Sequence, residues 1–190
     1  MSNKNNKSKV PANRPRINNV VVYLDFDGVL NSGRAVQFEV LERTGFHFDL
    51  KNVETFKHFL SVLDKPKIII NTTWRYSINK NVDPSCVRTF FEFMFMCIGL
   101  DPKLIYQAEF PSQDDPTLEK VITIQKGIAS LPDHSHIAFD DFVLSTFSDD
   151  LVDYQVIVDE NKGLTMNEVV AGFNKIMKQK QKLKKMNDEV

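Results

Sequence analysis

Three runs of β-forming apolar residues each end abruptly on a polar cluster, and this repetition restricts the possible folds more than any other feature of the chain. Val20-Val21-Val22-Tyr23-Leu24 runs straight into Asp25-Phe26-Asp27-Gly28; Lys67-Ile68-Ile69-Ile70 into Asn71-Thr72-Thr73; His136-Ile137-Ala138-Phe139 into Asp140-Asp141. Continuous apolar runs of this length read as strands buried on both faces, the pattern of a parallel sheet. Residues 154–158 read as a fourth strand, and residues 104–106 as a short one. Helical periods occupy residues 53–63, 85–98, 117–131 and 166–177, the second of them apolar nearly all round and the last free to run on into the Lys-rich end. Strands alternating with helices imply right-handed βαβ units, an α/β fold with a central parallel sheet, and a ligand at the carboxyl ends of the strands. The polar clusters fall at those ends.

Together the clusters supply four carboxylates (Asp25, Asp27, Asp140, Asp141) and two hydroxyls (Thr72, Thr73). Four carboxylates converging on one sheet edge repel one another unless a cation sits among them. Hard oxygen ligands favour Mg²⁺, completed by water and a substrate phosphate. A carboxylate not consumed by the metal can attack phosphorus, and an acid two residues away can give a proton to the leaving oxygen. A hydroxyl and a lysine can take the remaining phosphoryl oxygens.

The segment from Val21 to Leu30, a hydrophobic strand followed by Asp-x-Asp-Gly-Val, resembles the first motif of the haloacid dehalogenase (HAD) superfamily. The likeness implies a Rossmann-like three-layer sandwich. It makes Asp25 the nucleophile and a Mg²⁺ ligand, and Asp27 the general acid–base with its backbone carbonyl on the metal. It implies a phosphatase or phosphotransferase, since dehalogenase members lack the second Asp. The segment Ile68 to Thr73 is similar to the second motif, with Thr72 as its hydroxyl residue and Thr73 second. Phe139-Asp140-Asp141 is similar to the acidic fourth motif and implies the remaining Mg²⁺ ligands. For the third motif Lys120 and Lys126 both qualify; Lys120, at the start of its helix and 20 residues before Asp140, has the spacing of many relatives. Thr72-Thr73-Trp74-Arg75, Asp140-Asp141 and Gly163-Leu164-Thr165 further resemble the HAD domains associated with bacterial RNA-repair proteins. By that resemblance Thr73, Trp74 and Arg75 are substrate-binding candidates. Trp74 is open to two readings, buried packing or a stacking platform, and Arg75 to two, phosphate binding or a clamp on a loop carboxylate.

Other polar pairs read as structure. Asp149-Asp150 follows no apolar strand and reads as loop, Asp114-Asp115 as a helix start, and His134 and His136 lack Cys or His partners for a metal. Only 45 residues separate Asp27 from Thr72, enough for a flap and a helix, so the cap is minimal and the site open.

The charge is uneven. Residues 1–16 carry five basic residues and no acid, and residues 175–190 carry six Lys against two acids; with a chain total of −1, the body between stands at −10. The expected organisation is a disordered basic tail at 1–17, a phosphatase domain at 18–177 and a basic tail at 178–190. Cys86 and Cys97, in an apolar stretch, read as buried free thiols of a reducing compartment. No stretch is long enough to span a bilayer, so a cytoplasmic protein without membrane contact is expected. Fifteen Phe suggest a Phe-rich core. The expected activity is hydrolysis of a phosphomonoester through an aspartyl-phosphate, with RNA or DNA ends as one substrate class. Small-molecule or phosphoprotein phosphatases, phosphotransfer, and a non-catalytic binding module on the same fold are the alternatives. The sequence leaves the oligomeric state open.

Overall fold

The computed structural model describes residues 16–32, 47–78, 83 and 85–188. The expected disorder of residues 1–17 and part of the expected flap and minimal cap fall on residues 1–15, 33–46 and 79–82, outside the described residues. Five strands form one sheet: β1 (Val20–Leu24), β2 (Lys67–Ile70), β3 (Ile105–Gln107), β4 (Ser135–Asp140) and β5 (Gln155–Ile157), in the order β3-β2-β1-β4-β5 and parallel throughout. The helices are α1 (Leu50–Ser61), α2 (Ser85–Cys97), α3 (Pro116–Ser130) and α4 (Met166–Asp188). The α/β architecture read from the sequence is the one observed. β3 begins one residue later than its apolar run, because Pro102–Leu104 winds into a single 3-10 turn capped by the Asp101 side chain.

Alternation along the strands divides the core in two. Val20, Val22 and Leu24 of β1, with Ile68, Ile70, Ile137 and Phe139, face α1, α2 and α4. Val21, Tyr23, Ile69 and Ala138 face the other way, onto Val121 and Ile124 of α3. The strand order explains the split. The chain winds from β1 to β2 to β3 in one direction and then crosses back to β4 and β5, so a right-handed crossover puts α3 opposite α1 and α2. Winding reverses between β1 and β4, and that crevice is where such sheets hold ligands.

The Phe-rich core is real: Phe26, Phe48, Phe56, Phe59, Phe91, Phe95 and Phe139 are fully buried. Phe59 is packed between sheet and helices, edge-on to Phe139 with ring centroids 5.1 Å apart and tilted against Phe173 at 5.0 Å. α2 buries one face through Val87, Phe91, Met94 and Phe95 but exposes Phe93 and Met96. Cys86 is exposed on that helix and Cys97 half-buried, both free, which corrects the expectation of two buried thiols. An apolar stretch longer than a helix can bury on one side leaves its remaining residues in solvent.

α4 carries on past Met177 through the Lys-rich segment to Asp188, so residues 178–188 are helix. Gln179 explains the continuation. β5 pairs β4 only from Ala138 onward, and the Gln179 amide bonds the free edge of His136, accepting from its N–H at 2.7 Å and donating to its carbonyl at 2.9 Å. Lys178 and Lys182 meet Asp153 at 3.2 and 3.0 Å, exposed pairs that add little stability. Among the described residues no helix is long and apolar enough to cross a membrane.

Truncating the Phe59 ring tests this packing. Phe59→Ala should cost about 3–5 kcal/mol, because the cavity cannot collapse between sheet and helices. Urea denaturation should show a lower midpoint with an unchanged slope.

Candidate active site

Register brings the polar clusters together. Leu24 pairs with Ile70 on one side and Phe139 on the other, so the next residues of β1, β2 and β4 (Asp25, Asn71 and Asp140) emerge at one height on the carboxyl edge. Main-chain bonds continue the ladder there: the Asp25 N–H donates to Phe139 O at 3.2 Å and the Asn71 N–H to Leu24 O at 2.9 Å. α3 runs antiparallel to the strands and so begins at this edge. Its early residue Lys120 is only 3 % exposed, and its ammonium bonds Asp25 Oδ2 and, at 3.0 Å, Asp140 Oδ1. Lys126 lies nearly two turns further along α3 and is exposed. Of the two candidate lysines, Lys120 is the one that reaches the carboxylates.

Asp25, Asp140 and Asp141 each offer an oxygen within 4.8 Å of the others. Burial pushes the Asp25 and Asp140 carboxyls up from the usual carboxylate range, and the neighbouring acids push further. Burial alone would depress the Lys120 ammonium, but Asp25 and Asp140 outweigh it and hold it above the ordinary lysine value. Three carboxylates against one ammonium leave an excess of two negative charges, the charge of one divalent cation. Crowded, partly desolvated oxygen donors with that deficit fit Mg²⁺ as a hard-ligand site.

Gly28 makes the crowding possible. Its φ is +69°, and a methyl group there would lie 2.5–2.6 Å from the Asp141 side chain. The turn after β1 is tight: the Gly28 N–H donates to Asn31 O and the Asn31 N–H to Phe26 O, both at 2.8 Å. It carries Asp27, whose two oxygens accept from different donors, Oδ2 from the Trp74 indole N–H at 2.6 Å and Oδ1 from the Asn31 amide at 3.2 Å.

Thr72–Arg75 form the start of a 3-10 turn after β2. Thr72 is fully buried, and its hydroxyl caps the turn by accepting from the Trp74 N–H at 3.3 Å. Thr73 is half-buried beside it. Trp74 is 7 % exposed and packs edge-on against Phe26 at 5.1 Å, which places it in the core and not as a platform for a base. Arg75 is 3 % exposed and pairs with Glu119 at 3.5 Å, an internal clamp whose carboxylate stands on α3 and not on a loop. The substrate contact expected of Trp74 and Arg75 therefore gives way to internal bonding: the chain turns inward after Thr73, and both long side chains follow it into the protein.

Glu119 and Asn71 were not singled out by the sequence. Glu119 accepts from Ser112 N at 2.9 Å, Ser112 Oγ at 2.8 Å and Gln113 N at 3.1 Å. Burial would raise its carboxyl, but these donors and Arg75 hold it below the usual range. Asn71 donates to the Lys120 carbonyl at 3.3 Å. Both brace the turn of α3 that carries Lys120. An acid beside a lysine on an amphipathic helix reads as a solvated face, which is why Glu119 gave no signal. Asp149 and Asp150 lie exposed in a separate turn, and Asp115 caps α3.

A family model described as the HAD domain in Swiss Army Knife RNA repair proteins matches residues 21–169. No curated protein and no solved structure matches the chain significantly.

The close approach of Gly28 and Asp141 predicts a metal-binding defect from a single methyl group. Gly28→Ala should weaken Mg²⁺ binding at these carboxylates roughly 10–100-fold, as the loss of a support that orients a ligand does, with the fold retained. Calorimetric titration with Mg²⁺ alongside circular dichroism checks both parts.

Proposed function

The chain belongs to the HAD-domain family of Swiss Army Knife RNA repair proteins, and from that premise we propose that it is a Mg²⁺-dependent phosphomonoester hydrolase acting on terminal phosphates of RNA or DNA. The observation that carries the reading is the buried Lys120 ammonium bridging Asp25 and Asp140, with Asp141 beside them. Asp25 is the nucleophile: a carboxylate oxygen forms the bond to phosphorus as the bond to the leaving oxygen breaks. Asp27 gives its proton to that oxygen, then takes one from the water that hydrolyses the aspartyl-phosphate. Lys120 fixes the Asp25 carboxylate and faces the phosphoryl oxygens, where its charge stabilises the transition state. Thr72, just past the end of β2, is the hydroxyl residue of the second motif in this reading. Asp25, Asp140 and Asp141 would hold Mg²⁺, which when bound neutralises phosphate charge as substrate enters.

The family description and the charge distribution support a nucleic-acid end as substrate. The body at −10 repels polyanions, so the basic ends at +5 and +4 carry the attraction to a strand.

Two experiments test the reading. Asp25→Asn should abolish hydrolysis of p-nitrophenyl phosphate while leaving the fold intact. Lys120→Ala should lower kcat by about 10²–10³, and Lys126→Ala should leave it unchanged. On substrate, kcat/KM for a terminally phosphorylated oligonucleotide should exceed that for the matching mononucleotide at low salt, with the advantage shrinking as salt rises. Preference for the mononucleotide at every salt concentration would replace the nucleic-acid end with a small phosphate ester.

A further inference from the structure

The tryptophan of the second polar cluster does its work through Asp27. An indole has one donor, and when buried it needs a partner. Here that donor goes to a carboxylate oxygen of Asp27 at 2.6 Å, across 47 residues of sequence, and not to a nearby main-chain carbonyl. The bond is short and strong to the ionised carboxylate, and because a protonated carboxyl keeps acceptor capacity, Trp74 still holds Oδ2 when Asp27 carries its proton on a remaining lone pair. The indole cannot swing away, because its ring is wedged against Phe26 at 5.1 Å and Phe48 at 5.5 Å. The Asn31 amide holds the other Asp27 oxygen at 3.2 Å, so the carboxylate is gripped from both sides. The backbone of the same tryptophan donates to the Thr72 hydroxyl at 3.3 Å. One residue thus ties the turn after β2 to the turn after β1.

We propose that Trp74 is a positioning residue that aims the Asp27 carboxyl at the leaving-group oxygen, with Asn31 as the second point of the grip. The proposal rests on the phosphatase reading and on Asp27 as its acid–base group. In the step concerned, the Asp25–phosphorus bond forms, the bond from phosphorus to the leaving oxygen breaks, and the Asp27 proton passes to that oxygen. A side chain free to rotate about two torsions would present that proton only part of the time. The Trp74 donor removes that freedom, and the tight turn from Phe26 to Asn31 fixes the backbone beneath it.

Leaving-group dependence separates aiming from mere packing. An alkyl phosphate such as glycerol phosphate needs a proton on its leaving oxygen, whereas p-nitrophenolate departs with little help. Trp74→Phe keeps the ring and deletes the donor. It should lower kcat on glycerol phosphate at least about tenfold more than on p-nitrophenyl phosphate, the loss of one bond to a charged group, with KM little changed. In an Asp27→Asn background the same substitution should add no further discrimination. Equal losses on the two esters would overturn the proposal and leave Trp74 a packing residue. A second measurement needs no turnover. The chain has one tryptophan and therefore one indole N–H cross-peak in an ¹⁵N-correlated spectrum. That proton should resonate downfield, and Asp27→Ala should move it upfield; an unmoved peak overturns the contact itself. A protein that shows the shifted peak yet hydrolyses neither ester with Mg²⁺ overturns the phosphatase reading and the aiming role with it. If both esters are hydrolysed and only the discrimination is missing, the phosphatase reading stands and the aiming role alone fails.

Discussion

A buried ammonium between two buried carboxylates is the interaction around which this site is built. Lys120 bonds Asp25 at the end of β1 and Asp140 at the end of β4, the two strands that flank the reversal of winding. Desolvating three charges at once is expensive, and each is tolerable only because the others are there. Removing Lys120 leaves two buried carboxylates without a cation between them. The proposed function uses the same balance, since a divalent cation and a phosphate would bring charge of both signs to this edge.

Such a cluster demands a stiff support, and most of the neighbouring polar residues supply it. Arg75 and Glu119 form a second buried ion pair immediately behind the first. Glu119 also gathers the loop at Ser112 and Gln113, while Asn71 bonds the Lys120 carbonyl. The start of α3 is thereby fastened to the end of β2 by contacts that touch no substrate. Trp74 fastens the end of β2 to the turn after β1 in the same manner. The segment from Asn71 to Arg75 is thus a brace linking all the parts of the site as much as a contributor to it.

The family assignment and the geometry are independent and bear on different questions. The match over residues 21–169 places the chain among HAD domains of RNA-repair proteins. The geometry says which side chains meet at the sheet edge and which do not. The two meet in phosphatase-type chemistry at the acidic sheet edge.

Much of this was legible in the residues. Short runs of β-branched apolar residues that stop at a polar cluster read as strands covered on both sides, so the parallel sheet and the polar ends of β1, β2 and β4 follow from local pattern. Between Lys120 and Lys126 the spacing from Asp140 favoured Lys120, and the direction of α3 against the sheet puts that one at the crevice and the other in solvent. The partners of Trp74, Arg75 and Glu119 were not legible for a related reason: they lie 47, 44 and 44 residues away, and pairing across such distances leaves no periodicity to detect. The continuation of α4 likewise turned on Gln179 meeting the unpaired edge of His136. The sequence by itself determined the strands, the helices and the acids at the strand ends, because those depend on neighbours along the chain. Only the tertiary structure decided which charged and aromatic side chains face the crevice and which brace it, because burial of a polar group is settled by the partner that reaches it.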